Sequence, residues 1–326
     1  MSARSRPSLA VDLAPNNPVG LRLKNPVMTA SGTFGYGTEF AKLIDVERLG
    51  AIVSKGITLR PREGNPQPRV AETPAGMLNS IGLQNVGVRA LVREKAPVWA
   101  KWGVPVIVNI AGCSVEEYVE VAEILDGVQG VSGLELNIAC PNINGGLDFG
   151  TVAEAAAEVT SSVRAVCSLP IIVKLTPNVT DIVPIARAVA SAGADAISLI
   201  NTVLGMVIDI QTRRPFLGNR KGGLSGPAIR PIAVRMVYEV AQAVDIPIVG
   251  IGGITCADDA LQFIMAGASA VEVGTATFVN PLAPIEIVEG LEAYLEQHGI
   301  SDISELVGVA LPEGRRPRRA QTRGGS

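Results

Sequence analysis

The sequence predicts an α/β fold, a TIM-type (β/α)8 barrel, on three observations. Short runs rich in Val, Ile and Leu alternate with longer amphipathic stretches along almost the whole chain; eight such runs can be counted; and polar or glycine residues close nearly every one. Parallel strands buried on both faces read as continuous apolar runs, and eight βα units close a barrel whose strand ends share one rim.

The eight strands are expected at 26–30, 51–55, 104–110, 133–138, 171–175, 196–200, 246–251 and 270–274. Amphipathic stretches at 115–125, 152–166, 182–192, 229–244 and 257–265 carry apolar residues at three- and four-residue spacing, the period of a helix face. Ser114 with Glu117 three positions on, and Asp181, are positioned to cap helices, while Gly193 and Gly267 stop them. A hairpin at 10–13 and 20–23 precedes the first strand and is expected to cover the barrel floor. The connections 58–79 and 201–226 exceed ordinary βα loops and are expected to be lids or walls over the strand tops. The alternative is an open doubly wound sheet; it is disfavoured because no GxGxxG follows the first strand.

With 326 residues, 47% of them hydrophobic, the chain has ample core for one barrel domain over 1–312. The remaining 313–326 carry five arginines against one glutamate and no aromatic residue, which predicts a disordered, solvated tail. Net charge is −3 overall and about −7 without that tail, so the body is not built for nucleic acid. The start has no apolar core of a leader, and no uncharged apolar stretch reaches roughly 18 residues, so a cytoplasmic protein without membrane spans is expected. The four cysteines lie far apart, with no CxxC pair, and the single histidine, His298, sits near the end of the last helix. Metal ligation and histidine-based proton transfer are therefore excluded.

Chemistry is concentrated where the strands end: Ser31-Gly32, Lys55-Gly56, Asn109, Asn137 to Cys140, Lys174, Asn201-Thr202, Gly252-Gly253 and Gly274-Thr275. So many polar groups crowded on one rim are costly unless they bind something. The small residues after the seventh and eighth strands let backbone N–H groups approach a phosphate, although tight turns explain such glycines almost as well. Lys174 adds a cation suited to a flavin's pyrimidine edge. Cys140, before Pro141 and beside asparagines, is the candidate base: a thiolate removes a proton without any histidine. Cys113, Cys167 and Cys256 lack polar company and read as packing or incidental residues.

Nine motifs carry a resemblance over residues 8–300: ASGTFGYG (30–37), SKGIT (54–58), NSIGLQN (79–85), NIACPN (137–142), VKLTPN (173–178), INT (200–202), GGLSGPAIRP (222–231), GIGGI (250–254) and VEVGTA (271–276). The chain resembles the class 1 dihydroorotate dehydrogenases, specifically the FMN-bearing catalytic subunits of the NAD-linked type 1B. The resemblance implies FMN held by Ser31, Lys55, Gly56, Asn109, Asn137, Lys174, Ile200, Gly226, Gly252, Gly253, Gly274 and Thr275. It implies dihydroorotate or orotate bound by Lys55, Asn79, Ser80, Ile81, Gly82, Leu83, Asn137, Asn201 and Thr202, with Cys140 as the base. It further implies a partner subunit carrying FAD and a 2Fe-2S cluster, in an assembly of two catalytic and two electron-transfer chains. Between Asn142 and Gly145 this chain has two residues, Ile143-Asn144, where type 1B relatives usually have three. Three alternatives stay open: a flavin barrel acting on another pyrimidine, the fumarate-linked class 1A enzyme, and a barrel binding sugar phosphate without flavin.

Overall fold

The structure, a computed structural model, describes residues 6–139 and 149–313. Eight parallel strands close into a barrel: β1 (Val27–Thr29), β2 (Ala51–Val53), β3 (Val106–Ile110), β4 (Gly133–Asn137), β5 (Ile171–Leu175), β6 (Ala196–Leu199), β7 (Ile248–Ile251) and β8 (Ala270–Val273). Each lies inside the run expected for it. Neighbours pair in chain order, and β8 closes on β1 with Val271 opposite Val27. The register sets Asn137 of β4 opposite Lys174 of β5, and Lys174 opposite Ser198 of β6.

Alternate strand residues point into the barrel, so the interior is built in layers. The lower layer is apolar: Met28, Ala51, Val53, Ile107, Ile172, Ala196, Val249 and Ala270 form one buried cluster. Two residues further along their strands, Ile107 gives way to Asn109, Ile172 to Lys174, Ala196 to Ser198 and Ala270 to Glu272, and Glu135 completes this layer from β4. All five are buried. The barrel thus changes from oil to hydrogen-bonding groups within one period of the strands.

The expected floor hairpin is present. Val11–Asp12 pairs antiparallel with Arg22–Leu23, and Leu13, Ala14, Leu21 and Leu23 join the lower apolar layer. Leu13 is fully buried there. Leu13→Ala should therefore lower stability by about 2–5 kcal/mol while leaving the rim chemistry intact. An unchanged urea midpoint would contradict its role as the plug.

Helices Val115–Leu125, Ala153–Val166, Val183–Ser191, Arg230–Ala241 and Ala257–Met265 occupy the expected stretches, and Ala283–His298 is the last helix. Ser114 accepts the Glu117 N–H and Asp181 accepts the Val183 N–H, as the caps require. Gly193 (φ +100°) and Gly267 (φ +121°) turn the chain out of their helices. The first crossover differs from the βα rule: after β1 come two 3-10 turns, Phe40–Lys42 and Val46–Arg48, with the Phe34 and Phe40 rings stacked at 4.1 Å.

The two long connections build one structure over the rim. Val203–Gly205, Gly222–Ser225, Gly76–Asn79 and Val70–Thr73 form a four-stranded antiparallel sheet in that order. Residues 144 positions apart thereby share a wall: Gly223 lies opposite Asn79. A Cβ on Gly223 would collide with the Thr202 hydroxyl, so glycine is needed where the sheet presses on that side chain.

Candidate active site

The inward-facing upper layer and the strand-end loops meet in one place. Lys174 is buried on β5, and its ammonium lies 3.2 Å from Ser31 Oγ, 3.3 Å from Glu272 Oε2 and 3.5 Å from Glu135 Oε2. Asn109 Nδ2 donates to Glu135 Oε2 at 2.5 Å, and Ser198 Oγ donates to its Oε1 at 2.7 Å. The Asn109 Oδ1 atom is buried without a hydrogen-bond partner. A Cβ on Gly56 would lie 2.9 Å from that oxygen and 3.4 Å from Leu83 Cδ2, so Asn109, Gly56 and Leu83 face one space.

Burial opposes a charge on Lys174, but the two carboxylates outweigh it and hold its pKa above the ordinary value. Burial likewise opposes ionisation of Glu135; Lys174 and its hydrogen-bond donors prevail and lower it. Glu272 ends on the other side: burial, then the charge of Glu135, raise it well above the usual carboxylate range.

Asn137 and Asn201, at the ends of β4 and β6, are joined by Asn201 Nδ2 to Asn137 Oδ1 at 3.2 Å. Tyr118 reaches from its helix to donate to the Asn137 carbonyl at 2.7 Å, fixing the strand end. Thr202 continues this group: its carbonyl accepts from Asn178 Nδ2 at 3.1 Å. Asn79, in the cap sheet, donates to the Gly223 carbonyl at 3.4 Å. In the 80–83 loop the Ser80 hydroxyl is buried and unpartnered, and Leu83 is a non-glycine residue at φ +55°. Asn85 supports that strained position by donating to the Leu83 carbonyl at 2.7 Å.

Lys55 follows β2 and is half-buried. Burial pushes its pKa down; Glu39 opposes this and Arg69 adds to it. Such a lysine gains from an incoming anion. Lys55 and Lys174 thus hold different stations, one beside the cap sheet's loop and one inside the barrel.

The glycine turns form the third part. Gly226 (φ +94°), Gly252 (φ +128°) and Gly253 (φ +73°) take conformations that favour glycine. A Cβ on Gly253 would lie 2.7 Å from the Gly226 carbonyl, and Thr275 Oγ1 donates to Ser225 Oγ at 2.8 Å, so the loops after β6, β7 and β8 converge. Gly274 packs close to Ala30, and Ile200 is buried at the end of β6. Backbone groups crowded at one end, with a cation and an unsatisfied amide at the other, suit a planar cofactor carrying a phosphate.

Cys140 lies outside the described residues, as does the Ile143-Asn144 loop. Sequence reasoning missed Glu135, Ser198 and Glu272. Their signal was a glutamate at an inward position of an otherwise apolar parallel strand, in GLELN and AVEVG, which requires a buried cation. Of the other cysteines, Cys167 is buried in the hydrophobic core as a packing residue, but it is not without polar company: it donates to Asp126 at 3.5 Å, its thiol pushed up to about 11 by burial first, and the exposed Cys113 lies 3.5 Å from the Arg62 guanidinium. These partners come from elements distant in sequence.

Comparison with known proteins decides the family. The model of the family described as dihydroorotate dehydrogenase matches residues 14–295. The chain belongs to the dihydroorotate dehydrogenase family. It is 57% identical over 307 residues to a protein of Geotalea uraniireducens, covering 94% of this chain and 99% of that one. It is 57% identical over 305 residues to a protein of Pelobacter propionicus (93% and 99% covered), and 58% identical over 291 to one of Desulforamulus reducens (89% and 96%). All three relatives are named dihydroorotate dehydrogenase B (NAD(+)), catalytic subunit. Within the family, the chain groups with the catalytic subunits of the B type. No helix among the described residues is long and apolar enough to cross a membrane.

Proposed function

We propose that this chain oxidises dihydroorotate to orotate in pyrimidine biosynthesis, as the FMN-bearing catalytic subunit of an NAD-linked enzyme. The observation that carries the reading is the buried Lys174, set beside the unpartnered Asn109 amide oxygen and below the Asn137–Asn201 pair. FMN fits these residues: the glycine turns for its phosphate, Asn109 and Lys174 for its pyrimidine edge. Bound there, it supplies the hydride acceptor.

The chain's own residues do the rest. Asn79, Asn137 and Asn201 each offer a donor and an acceptor to a ring of alternating N–H and C=O groups, and Lys55, losing solvation, takes the substrate carboxylate. Ser80 brings a buried hydroxyl that has no hydrogen-bond partner among the described residues. Cys140 follows directly on Ala139 at the top of β4 and, as thiolate, takes the proton from ring carbon 5 as hydride leaves carbon 6. Lys174 faces the charge that the hydride delivers.

The electrons then need an exit, and a partner subunit with FAD and a 2Fe-2S cluster, in a two-plus-two assembly, provides it. The relatives' names, each a catalytic subunit and each NAD-linked, support a separate partner subunit and NAD as acceptor. Exposed Phe278, Val279 and Leu282, just after the Gly274-Thr275 loop, offer an apolar face near the rim. The same reading places the protein in the cytoplasm, where Cys113, Cys167 and Cys256 stay reduced, outside any disulfide. Given dihydroorotate, the purified chain alone should reduce neither NAD nor fumarate at an appreciable rate. Fast NADH formation without a partner refutes the partner requirement, and fast fumarate reduction refutes the NAD-linked type.

A further inference from the structure

The upper barrel layer buries two carboxylates against one ammonium, which leaves one negative charge unmatched. Glu135 and Glu272 side chains are both fully buried, and Lys174 lies within 3.5 Å of an oxygen of each. The two acids are not equivalent. Glu135 receives Asn109 Nδ2, Ser198 Oγ and Lys174, a donor set that suits an ionised carboxylate. Among the described residues Glu272 receives a donor only from Lys174, its other carboxyl contact is Glu135, and its Oε1 is buried without a donor. Ionisation spreads charge onto that unpartnered oxygen at the full cost of desolvation, whereas a proton on the other oxygen, toward Glu135, leaves Oε1 a neutral carbonyl whose burial costs far less.

We propose that Glu272 is a positioning residue for the cofactor: at neutral pH it carries a proton, which it shares with Glu135, so that the charge beneath Lys174 stays at a single negative unit. The charged groups facing it are Glu135 from β4 and Lys174 from β5, with the neutral Ser31, Asn109 and Ser198 completing the layer. With Glu272 protonated, the layer is neutral overall. Lys174 can then turn its remaining capacity toward a flavin that becomes negative on accepting hydride. A second ionised carboxylate in this layer would oppose that charge from the barrel interior. The raised pKa of Glu272 agrees with this assignment. In the folded chain its proton is retained above the ordinary glutamate range and lost as pH rises through the raised value.

The role in cofactor reduction rests on the flavin reading; the proton does not. Infrared spectroscopy of the purified chain at pH 7 tests the proton directly, because the carbonyl stretch of a buried carboxylic acid is separate from carboxylate bands and shifts in D2O. The native chain should show such a band. Glu272→Gln should abolish it, and so should Glu135→Gln, since Glu272 then becomes the sole anion for Lys174 and ionises. Absence of the band from the native chain overturns the proposal, even if neither variant folds. Its survival in Glu272→Gln places the proton elsewhere, and its survival in Glu135→Gln refutes sharing. In the FMN-loaded chain, the flavin midpoint potential should fall more steeply above the pH at which Glu272 loses its proton, with no such break in Glu272→Gln. A break that persists in Glu272→Gln overturns the link to the cofactor while leaving the flavin reading intact.

Discussion

Cys140→Ala should bind flavin normally yet lose bleaching by dihydroorotate, slowed by about 10²–10⁴-fold, the usual contribution of a positioned base. The flavin contacts proposed here come from Lys174, Asn109 and the glycine turns, none of which the substitution touches. Proton removal from ring carbon 5 has no histidine to fall back on, since His298 lies at the end of the last helix, stacked on Tyr294. In the native chain the rate of flavin reduction, measured at saturating dihydroorotate, should rise with pH as the thiol ionises and then level off. A free thiol titrates near roughly 8.5, which puts such a rise within the measurable range. Stopped-flow reduction of the two proteins checks both points. Native-like bleaching by the alanine variant, or a flat profile from about pH 5 to 9, assigns the base elsewhere.

Lys174→Ala should be costly in two separate ways. Without the ammonium, Glu135 and Glu272 remain fully buried with no cation, so the variant should lose about 3–5 kcal/mol of stability above neutral pH. The sign of the pH dependence follows from the carboxylates. Burial without a cation raises their folded pKa values, the folded state holds more protons, and stability should fall as pH rises from the ordinary carboxylate range. Native protein, in which Lys174 holds Glu135 ionised, should not share this loss for Glu135. Any flavin the variant retains should be reduced about 10²-fold more slowly, or worse, because the cation facing the developing charge is gone. Denaturant titrations at several pH values and single-turnover reduction measure the two effects. Native stability together with native reduction would remove both roles from Lys174.

The barrel was legible because its strands are buried on both faces and therefore read as unbroken apolar runs; 171–175 and 115–125 were placed to the residue. The floor hairpin was legible for the same reason, as Leu13, Leu21 and Leu23 demand a core. The cap sheet was expected only as lid-like loops. Its strands are three or four residues long, three of the four contain glycine, and Gly76–Asn79 finds its partner in Gly222–Ser225, far away in the chain. The first crossover carries no periodic signal in the sequence, since its 3-10 turns leave little. At the site, Lys174, Asn109 and Ser31 were named from the sequence, and the structure brings them together. Their charge balance was not named, because Glu135 and Glu272 stand in mid-strand, two residues or more from any loop, and only the closed barrel shows that both face the lysine.

A flavin that dihydroorotate can reduce is central to the proposed reaction. The absorbance spectrum of the purified chain, recorded anaerobically before and after addition of dihydroorotate, tests it most directly. The spectrum should show flavin bands at one FMN per chain, and they should bleach as an equivalent amount of orotate appears. A colourless chain that takes up no FMN, or a flavin spectrum that dihydroorotate leaves unchanged, would contradict it.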